Sequence, residues 1–478
     1  MASESLKNKT VKGTLWSTLE RFSVQGIQFV VMIIMARILT PEDYGLVGML
    51  TIFIAVSQSL IDSGFSQALI RKQDRSEIDN STVFYFNIAV GIILYLILFF
   101  VAPLIADFYN QPILIPITRA IGLSLIFNSL VVVQRALLTI QLDFKTQAKA
   151  SLAGAVISGV IGIWMAYVGF GVWAIVWQQL INLAVITILL WILSHWKPIW
   201  AYSWKSFKDL FNFGSKLLAS GLLDTLYRNL YLIVIGKVFK ASDLGYYTRA
   251  HQFTDFASSN VTGIFQRVTY PVLCTIQDDD MRLADVYRRL LKTSAFLIFP
   301  LMLGLGAVAK PMVISFLTEK WLFSATLIQI ICFSQMWYPV HAINLNLLQV
   351  KGRSDLFLRL EIIKKILGVT MLCVTLPFGL IAMCWGMLAN SIISLIINTH
   401  YTGKLIHLGI LTQMCDLLPI LLLSLAVGGV VYFTMTLLQA NSWLMLGIGV
   451  IEGIILYIAL AKIFRFPEFA ELTAILKR

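Results

Sequence analysis

Charge is the first thing this sequence lacks. Only 13% of its 478 residues are Asp, Glu, Lys or Arg, against 58% hydrophobic, whereas a soluble chain carries roughly a quarter charged residues. That shortfall excludes a water-covered globule of this length. Short alternating runs of apolar and polar residues are also missing, which excludes a lipid-embedded β-barrel. Helices in lipid remain, because a spanning backbone must satisfy its own hydrogen bonds. Cysteine is scarce: Cys274, Cys332, Cys373, Cys384 and Cys415 show no CxxC spacing and read as free thiols. His341, His400 and His407 lack metal-ligand spacing, and no GxxxxGK[ST] loop is present, so neither a metal, another cofactor nor P-loop ATP hydrolysis is expected. The start, MASESLKNKTVKG, has no cleavable signal pattern, so the first apolar segment is expected to stay as a membrane helix.

What is present is apolar length. Segments near the twenty or so residues that cross a bilayer fall at roughly 14–38, 44–70, 82–106, 113–138, 149–168, 172–194, 210–237, 246–275, 290–317, 323–349, 357–378, 381–403, 414–438 and 442–464. The expected fold is therefore all-α and polytopic, with about fourteen transmembrane helices and no room for a soluble domain. Pro300, Pro339 and Pro377 fall within spans and predict kinks.

Lys and Arg set the orientation. Lys7, Lys9 and Lys12 precede the first span, and alternate connections then carry Arg71, Lys72 and Arg75; Lys145 and Lys149; Lys197, Lys205 and Lys208; Arg282, Arg288, Arg289 and Lys292; Lys351 and Arg353; and Lys404. Lys462, Arg465, Lys477 and Arg478 follow the last span, while the intervening connections hold only Arg37, Lys237, Lys240 and Lys320. Both termini are expected in the cytoplasm. The net charge of +12 thus belongs to topology, and nucleic acid is not an expected partner.

An internal repeat divides the chain. ARILTPEDYGLV from Ala36 and GKVFKASDLGYY from Gly236 align at an offset of 200, matching Asp43 with Asp243 and Gly45 with Gly245. Each follows the first helix of a six-helix set. The expected organisation is a six-helix lobe over 1–194, a basic cytoplasmic linker over 195–209, a second lobe over 210–405, and two further helices with a tail over 406–478. Six is even, so the two lobes are parallel repeats, an arrangement that encloses a central site served by alternating access.

The first two helices of each lobe also carry polar groups at membrane depth, where they are costly and mark pathways, pairs or helix ends. The first span holds Glu20 and Arg21, with Gln25 and Gln28 continuing the Arg21 face; Glu20 and Arg21 fit either a cavity or headgroup depth. The second holds Thr51, Gln58 and Asp62, and the seventh places Asp224 one turn before Arg228, beside Ser220 and Tyr231. The eighth carries Thr248, Gln252, Asp255, Ser259, Thr262 and Gln266 in steps of three and four, flanked by Arg249, His251 and Arg267. Elsewhere, Asp278 to Asp280 read as a solvated turn, Glu361, Lys364 and Lys365 as a solvated helix start, and Glu452 as meeting the neighbouring helix or a lipid.

ARILTPEDYGLVGML with DSGFSQALIRK from Asp62, LDFKTQAKASLAGAVISGVIGIWMAYVGFGVWAIVWQQL from Leu142, and LGYYTRAHQF from Leu244 resemble the signature of bacterial polysaccharide transporters. These are flippases of lipid-linked oligosaccharides, in the superfamily that includes the multidrug and toxin extruders. The branch most resembled is that of colanic-acid and lipopolysaccharide exporters. The resemblance spans at least residues 10–275. It implies a two-lobed bundle in the bacterial inner membrane that moves undecaprenyl-diphosphate-linked oligosaccharide to the periplasmic leaflet for exopolysaccharide, capsule or lipopolysaccharide synthesis. It implies membrane lipids, and a polysaccharide polymerase among assembly partners, and no catalytic residue.

On that reading Arg21, Arg228, Arg249 and Arg267 grip the diphosphate, because guanidinium pairs with phosphate oxygens. Gln25, Gln28, Gln58, Tyr231, Gln252, Ser259 and Gln266 serve the sugars. Asp62, Asp224 and Asp255 are the carboxylates placed for coupling to H⁺ or Na⁺. Asp224 has Arg228 one turn away as a partner; Asp255 has no Arg or Lys at that spacing, with Arg249 and His251 nearby, and is the expected switching group. Two other functions compete. A multidrug extruder would favour an acidic, aromatic cavity, and a membrane glycosyltransferase or polymerase would need a large outward loop with catalytic carboxylates, which this chain lacks.

Overall fold

A computed structural model describes residues 2–194 and 196–476, leaving out the side chains of residues 2–15, Ile264, Arg267, Val268 and 475–476. Among the described residues every regular element is helical. Two compact units are present, Met1–Gly245 and Tyr246–Arg478. The first holds α1 (Ala2–Ile38), α2 (Pro41–Asp62), α3 (Phe65–Arg71), α4 (Glu77–Tyr109), α5 (Leu114–Ser129), α6 (Val132–Ile140), α7 (Phe144–Val168), α8 (Val172–Leu193) and α9 (Trp204–Val238), and the start of α10 (Ala241–Cys274). The rest of α10 opens the second, followed by α11 (Asp280–Ala307), α12 (Ala309–Leu317), α13 (Leu322–Gln335), α14 (Tyr338–Val350), α15 (Ser354–Thr375), α16 (Leu380–Ile406), α17 (Ile410–Leu437), α18 (Ser442–Ile463) and α19 (Pro467–Leu476). The repeat divides the chain before α9. Compactness divides it later, because α9 packs along α2, α3 and α4.

Local chemistry explains where the helices begin and end. Ser76 and Asp79 close a capping box at the start of α4, satisfying amides that the first turn leaves without partners. Asn110 (φ 54°) and Gly169 (φ 92°) end α4 and α7 in the left-handed region, the usual helix stop. Ser63 and Gly64 both have positive φ and separate α2 from α3. Pro300 lies inside an unbroken α11. Pro339 sits in the first turn of α14, directly after the break that separates it from α13, and Pro377 in a short 3-10 turn that follows α15.

Eleven helices or helix pairs among the described residues are long and apolar enough to cross a membrane. The three remaining expected segments differ in kind. The helix α10 carries polar residues on more than one face, α13 and α14 are separated at Met336 and Trp337, and α15 carries Glu361, Lys364 and Lys365.

Candidate functional site: a repeated helix start and four polar helices

The paired Asp residues of the repeat are helix starters. Thr40 donates its backbone N–H to Asp43 Oδ2 at 2.8 Å, and Asp43 returns its own N–H to Thr40 Oγ1 at 3.3 Å. In the second copy the Lys240 N–H reaches Asp243 Oδ2 at 3.2 Å. Each carboxylate also favours the positive end of its helix.

The paired glycines do something different. A Cβ built on Gly45 would lie 1.7 Å from the Ala241 carbonyl oxygen, and one built on Gly245 would lie 1.8 Å from the Pro41 carbonyl oxygen. Residues 41 and 241 are themselves equivalent at the offset of 200. The starts of α2 and α10 therefore meet backbone to backbone, each glycine seated on the other copy's first turn.

From that end, α2 and α9 run antiparallel in contact. Gly236 faces Met49 near one end, Ser59 Oγ and Thr225 Oγ1 lie 3.2 Å apart, and a Cβ on Gly64 would meet the Gly214 carbonyl oxygen at 2.6 Å. The Arg228 Nε and Asp224 Oδ2 atoms are 2.7 Å apart, with the Arg228 side chain 74% exposed. This pair is one turn apart on the same helix. Gln58 is exposed on α2, and Tyr231 is half-buried on α9. Asp62 accepts a hydrogen bond from Ser66 Oγ.

On α1 the two adjacent charges diverge. Glu20 accepts from Ser151 Oγ at 2.7 Å and so joins α1 to α7. Arg21 and Gln28 are exposed, with Gln25 half-buried. In the second unit, Gln252, Asp255 and Gln266 are exposed on α10, with Ser259 half-buried beside them. Arg249 Nη1 donates to Gln252 Oε1 at 2.6 Å, and His251 stands one turn before Asp255. Thr262 is off this face: it is buried and donates to the Ser258 carbonyl at 2.8 Å. The Arg267 side chain lies outside the described residues, as do Lys477 and Arg478.

Several polar groups outside these four helices are built into the second unit. His341 Nε2 lies 3.0 Å from Ser391 Oγ and its Nδ1 3.2 Å from Asn398 Nδ2. Beside them Asn344 Nδ2 donates to Gln413 Oε1 at 3.1 Å, and Thr402 Oγ1 to Asn344 Oδ1 at 2.7 Å. Their sequence separations are too long for any local pattern to announce them. Lys364 is mostly buried and donates to Glu361 at 2.5 Å, so this stretch is not the solvated helix start expected. Asp279 caps α11, and Asp280 accepts from Lys351 Nζ at 2.6 Å. Glu452 on α18 accepts from Thr434 of the neighbouring α17 at 2.9 Å. Where α15 begins, Arg353 donates two hydrogen bonds of 2.9 Å to Asp355, which hold that carboxyl down at about 2. Among the described residues no cluster of three metal-ligating side chains is found.

Comparison with known proteins gives this geometry a context. A family model described as "polysaccharide biosynthesis protein" matches residues 34–326. The teichuronic acid biosynthesis protein TuaB of Bacillus subtilis is 25% identical over 89% of this chain and 88% of its own. The lipopolysaccharide biosynthesis protein WzxC of Escherichia coli is 26% identical over 83% and 80%. Among solved structures, the lipid II flippase MurJ in an inward closed conformation superposes with a TM-score of 0.76 at 16% identity, covering 94% of this chain and 98% of its own. An inward-facing multidrug resistance MATE family transporter of the MOP superfamily gives 0.61 at 14% identity, over 79% and 95%.

Proposed function

The chain belongs to the polysaccharide biosynthesis protein family, and we propose that it is a flippase translocating undecaprenyl-diphosphate-linked oligosaccharide units for cell-surface polysaccharide synthesis. Relatives named for teichuronic acid and lipopolysaccharide biosynthesis support the substrate class, and the fold shared with a lipid II flippase is consistent with it. On this reading the protein is a transporter and not an enzyme. It sits in the inner membrane with both termini cytoplasmic, and α10, α13 with α14, and α15 cross as well, giving fourteen spans. Reporters fused near Arg75, Lys205 and Arg353 are expected to read cytoplasmic, and those near Asp43, Asp243 and Glu319 periplasmic. Periplasmic exposure of the 195–209 linker would overturn both the orientation and the parallel lobes.

The observation that carries the reading is the set of exposed polar side chains on α1, α2, α9 and α10. A charged side chain facing lipid at the bilayer centre costs about 2.5–3.5 kcal/mol even on the mildest scale. Arg21 on α1, Gln58 on α2, Asp224 and Arg228 on α9, and Gln252 and Asp255 on α10 therefore border water. An arginine-rich face suits a diphosphate, which favours this substrate over the cations a multidrug extruder takes. Gln25, Gln28, Tyr231, Ser259 and Gln266 offer the sugars hydrogen-bond partners, and Arg267 extends the basic set.

Coupling to H⁺ or Na⁺ is assigned to Asp255 first and Asp62 second. Asp224 acts mainly as the partner of Arg228. Asp255→Asn is expected to abolish any dependence of transport on pH or Na⁺ while substrate still binds. Equal transport by wild-type protein with and without an ion gradient would leave Asp255 nothing to couple.

A further inference from the structure

The chain's last two helices meet at a corner that the transport reading does not use. There α17, the end of α18 and the start of α19 border an open groove of about 550 Å³. Its walls are apolar, with Pro419, Leu422, Leu423, Leu460 and Phe464 among them, and Arg465 is its one charged lining residue. The corner is held in shape: Arg289 Nε lies 2.8 Å from Glu471 Oε2 of α19, and the Phe296 and Phe466 rings are 6.0 Å apart.

Arg465 occupies an unusual place. The Phe466 N–H bonds the Ala461 carbonyl at 3.0 Å, and the Arg465 N–H bonds that of Lys462 at 3.2 Å. This is the helix stop that glycine normally fills, and Arg465 fills it at φ 53°. A side chain at that conformation costs stability, so local folding gives no reason for arginine here. Among the described residues its guanidinium makes no hydrogen bond or ion pair. Exposed Lys462 lies one turn back. An apolar slot at the end of a membrane helix, with Arg465 in its lining and exposed Lys462 one turn before it, complements an acyl chain joined to an anionic headgroup. Basic pockets between membrane helices hold anionic lipids by this chemistry.

We propose that the corner formed by α17, α18 and α19 binds an anionic glycerophospholipid, its phosphate on Arg465 and Lys462 and one acyl chain against Leu422, Leu423 and Phe464. The site is built from helices other than α1, α2, α9 and α10, and it does not depend on what the chain transports.

The test is native mass spectrometry of the full chain, titrated with phosphatidylglycerol and, separately, phosphatidylethanolamine. Phosphatidylglycerol is expected to bind more tightly, by roughly fivefold for each basic residue engaged. Arg465→Gly is expected to erase that preference while melting no lower, since glycine suits the backbone there. Leu422→Trp, which keeps both cations and fills the slot, is expected to weaken both lipids. Equal retention of the two lipids by wild-type protein, or an unchanged preference in Arg465→Gly, would overturn the proposal. Displacement of phosphatidylglycerol from this corner by undecaprenyl diphosphate at equal concentration would reassign the site to the transported lipid.

Discussion

Substituting Gly45 with alanine is expected to abolish polysaccharide export while the protein still inserts in the membrane. The new methyl would lie 1.7 Å from the Ala241 carbonyl oxygen, which is backbone and cannot swing aside. Overpacking costs about 1–3 kcal/mol, occasionally more, so the conformation in which α2 and α10 touch would lose roughly tenfold or more of its population. Gly245→Ala should act alike, through Pro41. Because both changes open one contact, the double variant should cost less than the two single costs combined. Complementation of an export-deficient strain, with membrane levels measured in parallel, checks this. Transport by alternating access would need this contact to form and part in each cycle. Wild-type export by both single variants would show that the contact is incidental to transport.

Arginine replacement has the second large effect. Arg228→Gln and Arg249→Gln are each expected to cut export by roughly tenfold to a hundredfold, the loss of a charge-assisted hydrogen bond worth about 1.5–3 kcal/mol. The cost to folding should be small for Arg228, whose pair with Asp224 is exposed and lies within one helix. Arg75→Gln and Arg353→Gln are the controls, and they should leave export unchanged where topology is preserved. Arg353 binds Asp355 in an exposed contact at the start of α15. Equal defects from both groups, in protein that inserts normally, would remove the case for a cationic cavity.

Much of the architecture was legible in the residues. Apolar runs of membrane length announce helices because lipid leaves the backbone no other option. The repeat could be read too: Asp43 and Asp243 stand where a helix needs its first amides satisfied, and Gly45 and Gly245 where two backbones touch. Their periodicity showed that they matter, but only the geometry shows that each copy seats on the other. The polar faces of α1, α2, α9 and α10 followed from helical spacing, with the exceptions of Glu20, drawn to Ser151, and buried Thr262. Adjacent residues on a helix point about 100° apart, so Glu20 and Arg21 were never bound to share a surface.

What could not be read was long-range. Arg288 grips Asp416 through two hydrogen bonds of 2.7 and 2.6 Å across 128 residues. The His341, Asn344, Asn398, Thr402 and Gln413 network gathers side chains from α14, α16 and α17. Neither leaves a local pattern. The separation of α2 from α3 rests on Ser63 at φ 43° and Gly64 at φ 70°, which short apolar flanks concealed.

The central claim is that the chain moves a lipid-linked oligosaccharide across a bilayer. Its most direct test is purified protein in liposomes loaded with undecaprenyl-diphosphate oligosaccharide, with the rate at which inner-leaflet sugar becomes accessible to an external glycosidase as the readout. The account predicts protein-dependent exposure that falls sharply in Arg228→Gln and Arg249→Gln. Exposure at the protein-free rate, under every pH, Na⁺ and potential gradient applied and with the substrates of relatives of this chain, would contradict it.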